Sequence, residues 1–444
     1  MPKLLVHPLF FIAFMSVSIH GLMGQTLTEI NTYYDAKKEH VKEHYKVLNG
    51  DSNLVQGDYV KYHPNGKIAI TGTFVHGKKT GTFTSYYLNG SIQQTLHFNN
   101  GLKQGKVMVY DEYGMVIQSG RFEKDTLTDT LTLYFPSGKL KSITTFRKGK
   151  PDGIVNSYYS NGTLKKTEEY KNGKVNGITK TYYQDGRLRT EENFKDGIVH
   201  GFFKTYHPNG QLETVSINSQ GSPEGEFKTY DEEGNLLIQG HYLHGKLTGE
   251  NVAWYPEGTK KHKFRYLDGF KTGLNEEFYP NGELKTHIEY SHKEKDQHVL
   301  KYYPDGKPQA DQTIIQGHPA GQWISWHENG TIQQTETYEN GMLSGPRLTY
   351  SSDGQKILEE PFVGDRKVGK EIAYYLNGKK KSETVYSSGM KHGSYTSYYE
   401  EGSLAVTGQF AGNKRVGSWT YYDPSGAVKE VQKYKNGKLV GHSK

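Results

Sequence analysis

The 444-residue chain contains no cysteine. That excludes disulfides, a cysteine nucleophile and a lipid-modified cysteine. Apolar residues are also scarce: 34% are hydrophobic, with 7 Met and 4 Trp, which argues against a conventional thick core and for a thin sheet with aromatic stripes. A large excess of charge of one sign is lacking as well. Lys and Arg number 55 against 48 acidic residues, for a formal charge of +7, and Lys and Glu are interspersed, so nucleic-acid binding is not indicated.

Long apolar runs are missing except near the N-terminus. There Lys3 precedes an apolar stretch from Leu9 to Val17, with small residues at Gly21 and Gly24. This pattern predicts a secretory signal peptide over 1–24, cleaved near Gly24-Gln25. The competing reading, a retained membrane anchor, is disfavoured because the run falls short of the ~20 residues a spanning helix needs. The chain is therefore expected to be exported, to the periplasm, the outer surface or the medium, with no transmembrane segment after signal removal.

Glycine (52) and tyrosine (35) are abundant, and they are periodic. Sixteen consecutive 24-residue repeats run from Gly57 to Val440 with no insertion or deletion. Counting the first residue of each repeat as position 0, that residue is Gly in fourteen repeats, with Asp129 and Gln297 the exceptions. Position 9 is always Gly, as in Gly66, Gly90 and Gly162, and position 5 is always aromatic, as in Tyr62, Tyr86 and Tyr158. Position 17 is usually aromatic, as in Phe74, Phe98 and Tyr170, with Gly three residues later. A period of this size marks an architecture in which each repeat is stabilised by its neighbours.

The turn residues identify the element. Seven repeats carry Pro-x-Gly before the second strand, as in Pro64-Asn65-Gly66 and Pro280-Asn281-Gly282. Pro presets the first position of a type I turn, and Gly takes the left-handed conformation that closes a three-residue hairpin loop. That loop predicts a register in which Tyr62 faces Ile68, and Tyr87 faces Ser91 on the opposite side. Two faces follow: one with the aromatic–aliphatic stripe expected to hold the sheet together, the other with variable position-6 residues. Residues 25–56 read as a degenerate capping repeat, with Tyr33 and Tyr34 as paired aromatics and Asn49 to Asn53 as an insertion; a short helix through Asp35 to Tyr45 is the alternative. Gly441 opens a seventeenth repeat that stops after four residues.

The pattern Gly-x-aromatic-x-x-Tyr-Tyr-x-Asn-Gly followed by aromatic-x-x-Gly-Lys resembles the MORN repeat. It is more similar to the MORN repeat variant of bacterial YwqK-like proteins, some of which are described as antitoxin components. Tyr86-Tyr87-Leu88-Asn89-Gly90 and Tyr170-Lys171-Asn172-Gly173-Lys174 carry the resemblance. Asp125, Lys293, Asp365 and Asn413 depart from it at the fourth Gly. The resemblance implies an all-β, elongated, antiparallel single-sheet solenoid of stacked hairpins, acting in scaffolding or protein interaction. An antitoxin role fits poorly with export.

Catalytic motifs are weak. His40-Val41-Lys42-Glu43-His44 matches H-x-x-E-H, which on a helix binds zinc, but it reads better as a solvated charged stretch. Gly240 to Leu247 and Gly72 to Lys79 almost spell phosphate-binding loops, yet their glycines fall on repeat positions and the Ser or Thr is missing. No catalytic residue, metal or cofactor is expected. His63, His207 and His327 share position 6 and read as substitutes for Tyr. The candidate binding face is the position-6 ladder of Tyr87, Phe135, Tyr159, Tyr183, Tyr255, Tyr279, Tyr303, Tyr375 and Tyr399. Tyr combines apolar area with a polar tip and suits glycans or extended peptides; packing against adjacent strands as sheet stabilisers is the favoured reading of these residues. The expected function is a non-enzymatic exported repeat protein that presents a β-surface to a protein or envelope component, with cell-wall or glycan binding through the Tyr ladder as the second reading. The sequence leaves the oligomeric state open.

Overall fold

The computed structural model describes residues 25–444, so the expected signal peptide over 1–24 lies outside the described residues. The described residues form two bodies, divided between Lys174 and Val175. Each is all-β. Strands adjacent in sequence pair antiparallel, and no helix occurs among the described residues.

Each 24-residue repeat makes one hairpin, such as Lys78–Tyr86 with Ile92–Asn99. In its loop the Tyr87 amide donates to the Ser91 carbonyl and the Gly90 amide to the Tyr87 carbonyl, both at 2.9 Å. Gly90 has φ +96°. This is the three-residue loop read from Pro-Asn-Gly and its relatives, and the predicted pairs Tyr62↔Ile68 and Tyr86↔Ile92 are present. The connection to the next repeat is tighter. Val75 pairs with Lys78 across His76-Gly77, both at positive φ, the geometry of a two-residue turn matched to strand twist. Asp125, Asp365 and Asn413, which replace Gly here, all adopt positive φ, as short polar side chains tolerate. Each puts its Oδ1 to use by accepting the backbone amide of Lys103, Leu343 or Lys391 in the preceding repeat.

Two bulges were not legible from the hairpin register. Within a repeat, Tyr86 pairs with Ile92 but Ser85 pairs with Gln94, leaving Gln93 as the extra residue at position 12. Direct partners share a face, so this bulge moves positions 13, 15 and 17 to the side of positions 2, 4 and 6. Between repeats, Thr71 pairs with Thr84 and Thr73 with Thr80, and the surplus on the second strand includes Gly81 at φ +73°. The position-0 glycine therefore serves a bulge. Asp129 takes the same conformation, with φ +63°. At Gln297 the bulge is gone: Thr286 to Ser291 pair with Lys301 to Asp296 without a shift. The extra length sits instead in the loop, where His292, Lys293 and Glu294 have positive φ.

These bulges correct the expected core. The Tyr62/Ile68 face is not the buried one: Ile68 and Ile92 are 42% and 40% exposed. The buried stripe is formed by positions 2, 15 and 17, on the side of the position-6 ladder. Phe83 and Phe98 are buried, and rings run edge-to-face from Tyr59 through Phe74 and Phe83 to Phe98 with centroids 5.2–5.4 Å apart. Position 15 is Gly in four repeats, and at Gly72 the ring at position 2 of the next repeat takes the space of a side chain. A Cβ on Gly72 would lie 2.4 Å from the Phe83 ring.

The N-terminal segment is a hairpin, Leu27–Tyr33 with Val41–Leu48, so the helical alternative through Asp35 to Tyr45 is excluded. Leu48 and Leu54 are joined by a backbone bond at 2.9 Å across the Asn49–Asn53 loop.

Candidate functional site

The position-6 residues are where a binding ladder was expected. Most of them share one arrangement. The hydroxyls of Tyr87, Tyr183, Tyr255, Tyr279, Tyr303, Tyr375 and Tyr399 donate to the position-5 carbonyl of the following repeat at 2.7–3.0 Å. His63, His207 and His327 place Nε2 at 2.9–3.0 Å from the equivalent carbonyl. Histidine at this position is thus a substitute clamp, with Nε2 carrying the proton. Tyr34 does the same in the N-terminal segment, reaching the Tyr62 carbonyl at 2.7 Å. Its partner lies 28 residues on rather than 23, the difference matching the five residues from Asn49 to Asn53.

The ring faces are engaged as well. A cation at bulge position 12 lies over the position-6 ring in several repeats: Lys141 over Phe135, Lys165 over Tyr159, Arg189 over Tyr183, Lys261 over Tyr255, Lys285 over Tyr279 and Lys381 over Tyr375, at 5.6–6.0 Å. Such contacts are worth about 0.5–1 kcal/mol at exposed sites. Nothing in the hairpin register pointed to them, although the recurrence of Lys or Arg at position 12 was visible.

Position 8 adds a second clamp. Asn89 accepts from the Ser91 amide and donates through Nδ2 to the Glu112 carbonyl of the next repeat. Asn209, Asn281, Asn329 and Asn377 also donate forward, to Glu232, Pro304, Ser352 and Glu400. Asn is favoured beside Gly because it closes its own loop and fastens the next one. The invariant Gly66, Gly90 and Gly162 take the positive φ of that loop. Tyr62, Tyr86 and Tyr158 occupy the opposite, half-exposed face, while Phe74, Phe98 and Tyr170 belong to the position-17 stripe.

Removing one clamp hydroxyl should be measurable. Tyr279→Phe is expected to lower stability by about 1 kcal/mol, because the Tyr302 carbonyl loses a partner while the ring stays in place. Urea unfolding of the two proteins checks this, and equal midpoints would contradict the clamp.

The remaining motifs resolve structurally. Val41–Leu48 is a strand, so His40 and His44 are not on one helical face, which removes the geometry that H-x-x-E-H needs. His44 lies against Asn31, and Glu43 accepts the Tyr59 hydroxyl at 2.8 Å. Asp35, Glu39 and His40 do place three ligand-type atoms within 4.8 Å of one another. The Asp35 carboxylate there accepts the Glu39 and His40 amides, which holds it below the usual carboxylate range. Gly72 to Lys79 and Gly240 to Leu247 are strand–turn–strand segments, with His76-Gly77 and His244-Gly245 as the turns.

In the C-terminal body the buried stripe turns ionic. Glu360, 5% exposed, accepts Arg347 Nε at 2.8 Å and pairs with Lys367, which also contacts Glu371. Arg347 reaches Glu336 at 3.6 Å. Burial alone would raise the Glu360 carboxyl, but hydrogen bonds from Arg347 and Lys367 outweigh it and hold the group below its usual range.

Clamp and stripe together define an all-β repeat protein whose recurring side chains fasten each repeat to the next. The MORN repeat variant model matches residues 55–76, 79–100, 151–172, 175–196, 223–244, 271–292, 320–340, 367–387, 391–411 and 415–440. The chain belongs to this MORN repeat variant family. No curated protein matches it. Among solved structures, it is similar to TcdB2-TccC3, with 12% identity over 92% of this chain and 23% of that one, at a TM-score of 0.15. The Photorhabdus luminescens Tc holotoxin pore gives 12% identity over 90% of this chain and 23% of that one, with a TM-score of 0.13. A structure described as the eukaryotic initiation factor gives 11% over 94% and 85%, with 0.15. The chain thus spans about a quarter of the toxin chains it matches. Superpositions this poor leave fold and function to the family match and the local geometry.

Proposed function

We propose that this is a non-enzymatic, exported repeat protein of the YwqK-like kind, whose sheet surface binds a protein or envelope component. The observation that supports the reading is the division of labour within the repeat. Positions 6, 8 and 17 are engaged in holding repeats together and position 9 closes each hairpin loop, while variable side chains between them remain exposed. Repeat arrays use such surfaces for recognition. The N-terminal apolar segment supports export, and no helix among the described residues is long and apolar enough to cross a membrane.

Glycan binding through the Tyr ladder has less support, because its hydroxyls already donate to backbone carbonyls and many of its rings carry a cation. An antitoxin role would need a cytoplasmic chain. Fractionation of tagged full-length protein, combined with N-terminal sequencing, tests the proposal: mature protein beginning near Gln25 outside the cytoplasm is expected. Full-length protein retained in the cytoplasm would overturn it.

A further inference from the structure

Charge is balanced over the whole chain, but not at one turn edge of the N-terminal body. Three successive between-repeat turns, at 123–126, 147–150 and 171–174, carry six cations, Lys124, Arg147, Lys148, Lys150, Lys171 and Lys174, against two carboxylates, Glu123 and Asp125. Two recesses, of about 430 and 470 Å³, lie along this edge. The first is lined by Lys124, Thr126, Thr128, Arg147 and Lys148 with Glu123, the second by Arg147, Lys148, Lys150, Asp152, Lys171 and Asn172. They share Arg147 and Lys148. Among the described residues, Arg147 pairs with Asp152 at 4.0 Å, with the Arg147 side chain 77% exposed. The cations are set on turns whose backbone is fixed by repeat-to-repeat bonds, such as Gly149 to Leu127 and Gly173 to Pro151.

We propose that this edge binds an acidic polysaccharide bearing uronate groups. The proposal rests on the reading of the protein as an exported binding surface, and names the partner chemistry. Successive turns are separated by two strand spacings, roughly 10 Å, so the cations recur along a line and match a polymer with regularly placed carboxylates better than one compact anion. Thr126, Thr128 and Asn172 supply hydroxyl and amide groups for sugar hydroxyls. A peptide fits less well. The paired turns offer no free strand edge for β-addition, and no apolar side chain lines either recess to hold an anchor. A membrane surface fits less well for the same reason, since no Trp, Phe or Leu stands among the cations to enter the lipid interface.

The test uses full-length protein and sodium polygalacturonate, with neutral dextran, poly-glutamate and phosphatidylglycerol vesicles as parallel probes. Polygalacturonate is expected to bind best, with affinity falling steeply as salt screens the exposed charges. Substituting Arg147→Gln, Lys150→Gln and Lys171→Gln together should weaken binding about tenfold or more. Lys429→Gln, Lys435→Gln and Lys438→Gln together, the same loss of charge in the C-terminal body, should leave it unchanged. Thermal unfolding establishes that both variants are folded. Equal binding of the two triple variants, no binding to polygalacturonate, or tighter binding to dextran, poly-glutamate or vesicles would each overturn the proposal. Failure here with the protein still found outside the cytoplasm leaves the exported-surface reading standing, whereas a cytoplasmic protein that still binds polygalacturonate overturns only that broader reading.

Discussion

Trp419→Ala is expected to cost about 3–5 kcal/mol, the range for removing a large aromatic from a packed interior. Trp419 is 1% exposed. Its ring meets Phe410 edge-on at 5.0 Å, stacks with Tyr395 at 5.3 Å, and lies under the Arg415 guanidinium at 4.3 Å. Its indole Nε1 donates to the Gln409 carbonyl at 3.2 Å. The indole fits because the facing residue is Gly408, where a Cβ would lie 2.3 Å from the ring. Gly408→Ala should therefore be strongly destabilising by itself and much less so when combined with Trp419→Ala, since the clash and the ring disappear together. Urea unfolding of the four proteins measures this coupling. Equal cost of Gly408→Ala in both backgrounds would show that the glycine serves the backbone rather than the ring. Because repeats interact mainly with their neighbours, hydrogen exchange should rise first in the strands between Met390 and Lys435.

Glu360→Ala should cost a similar amount, about 3–5 kcal/mol, because it strands Arg347 and Lys367 in a partly buried site. The double change Arg347→Tyr with Glu360→Gly recreates the pairing that Tyr395 and Gly408 make two repeats later, and should recover much of that loss. Stability should also depend on pH. The Glu360 carboxyl is held below its ordinary value in the folded protein, so its contribution is fully present above the unfolded value of about 4.3 and is lost as pH falls through the folded one. The wild type should thus lose more stability on acidification than the double variant does. Parallel acid dependence of the two would count against the ionic account.

How much of this was legible in advance follows from the range of each interaction. Pro-Asn-Gly loops act through local torsions, so the hairpin, its three-residue loop and the pairs Tyr62↔Ile68 and Tyr86↔Ile92 could be read directly. The equivalence of His63, His207 and His327 to Tyr was also visible, since it needs only a shared position. The faces were not legible. A single bulge residue at position 12 exchanges the sides of everything after it, and no local signal in Gln93 or Lys141 announces a bulge. The clamp made by the position-6 Tyr was likewise not legible, because its hydroxyl acceptor lies one repeat away.

By itself, then, the sequence determined an all-β repeat fold, the hairpin period and the turn types, because these follow from backbone preferences within a few residues. Only the tertiary structure decided which stripe is buried, that position 6 clamps one repeat to the next, and that scattered cations gather along one edge. Those outcomes depend on bulges and on contacts between residues more than twenty positions apart, which local propensity does not encode.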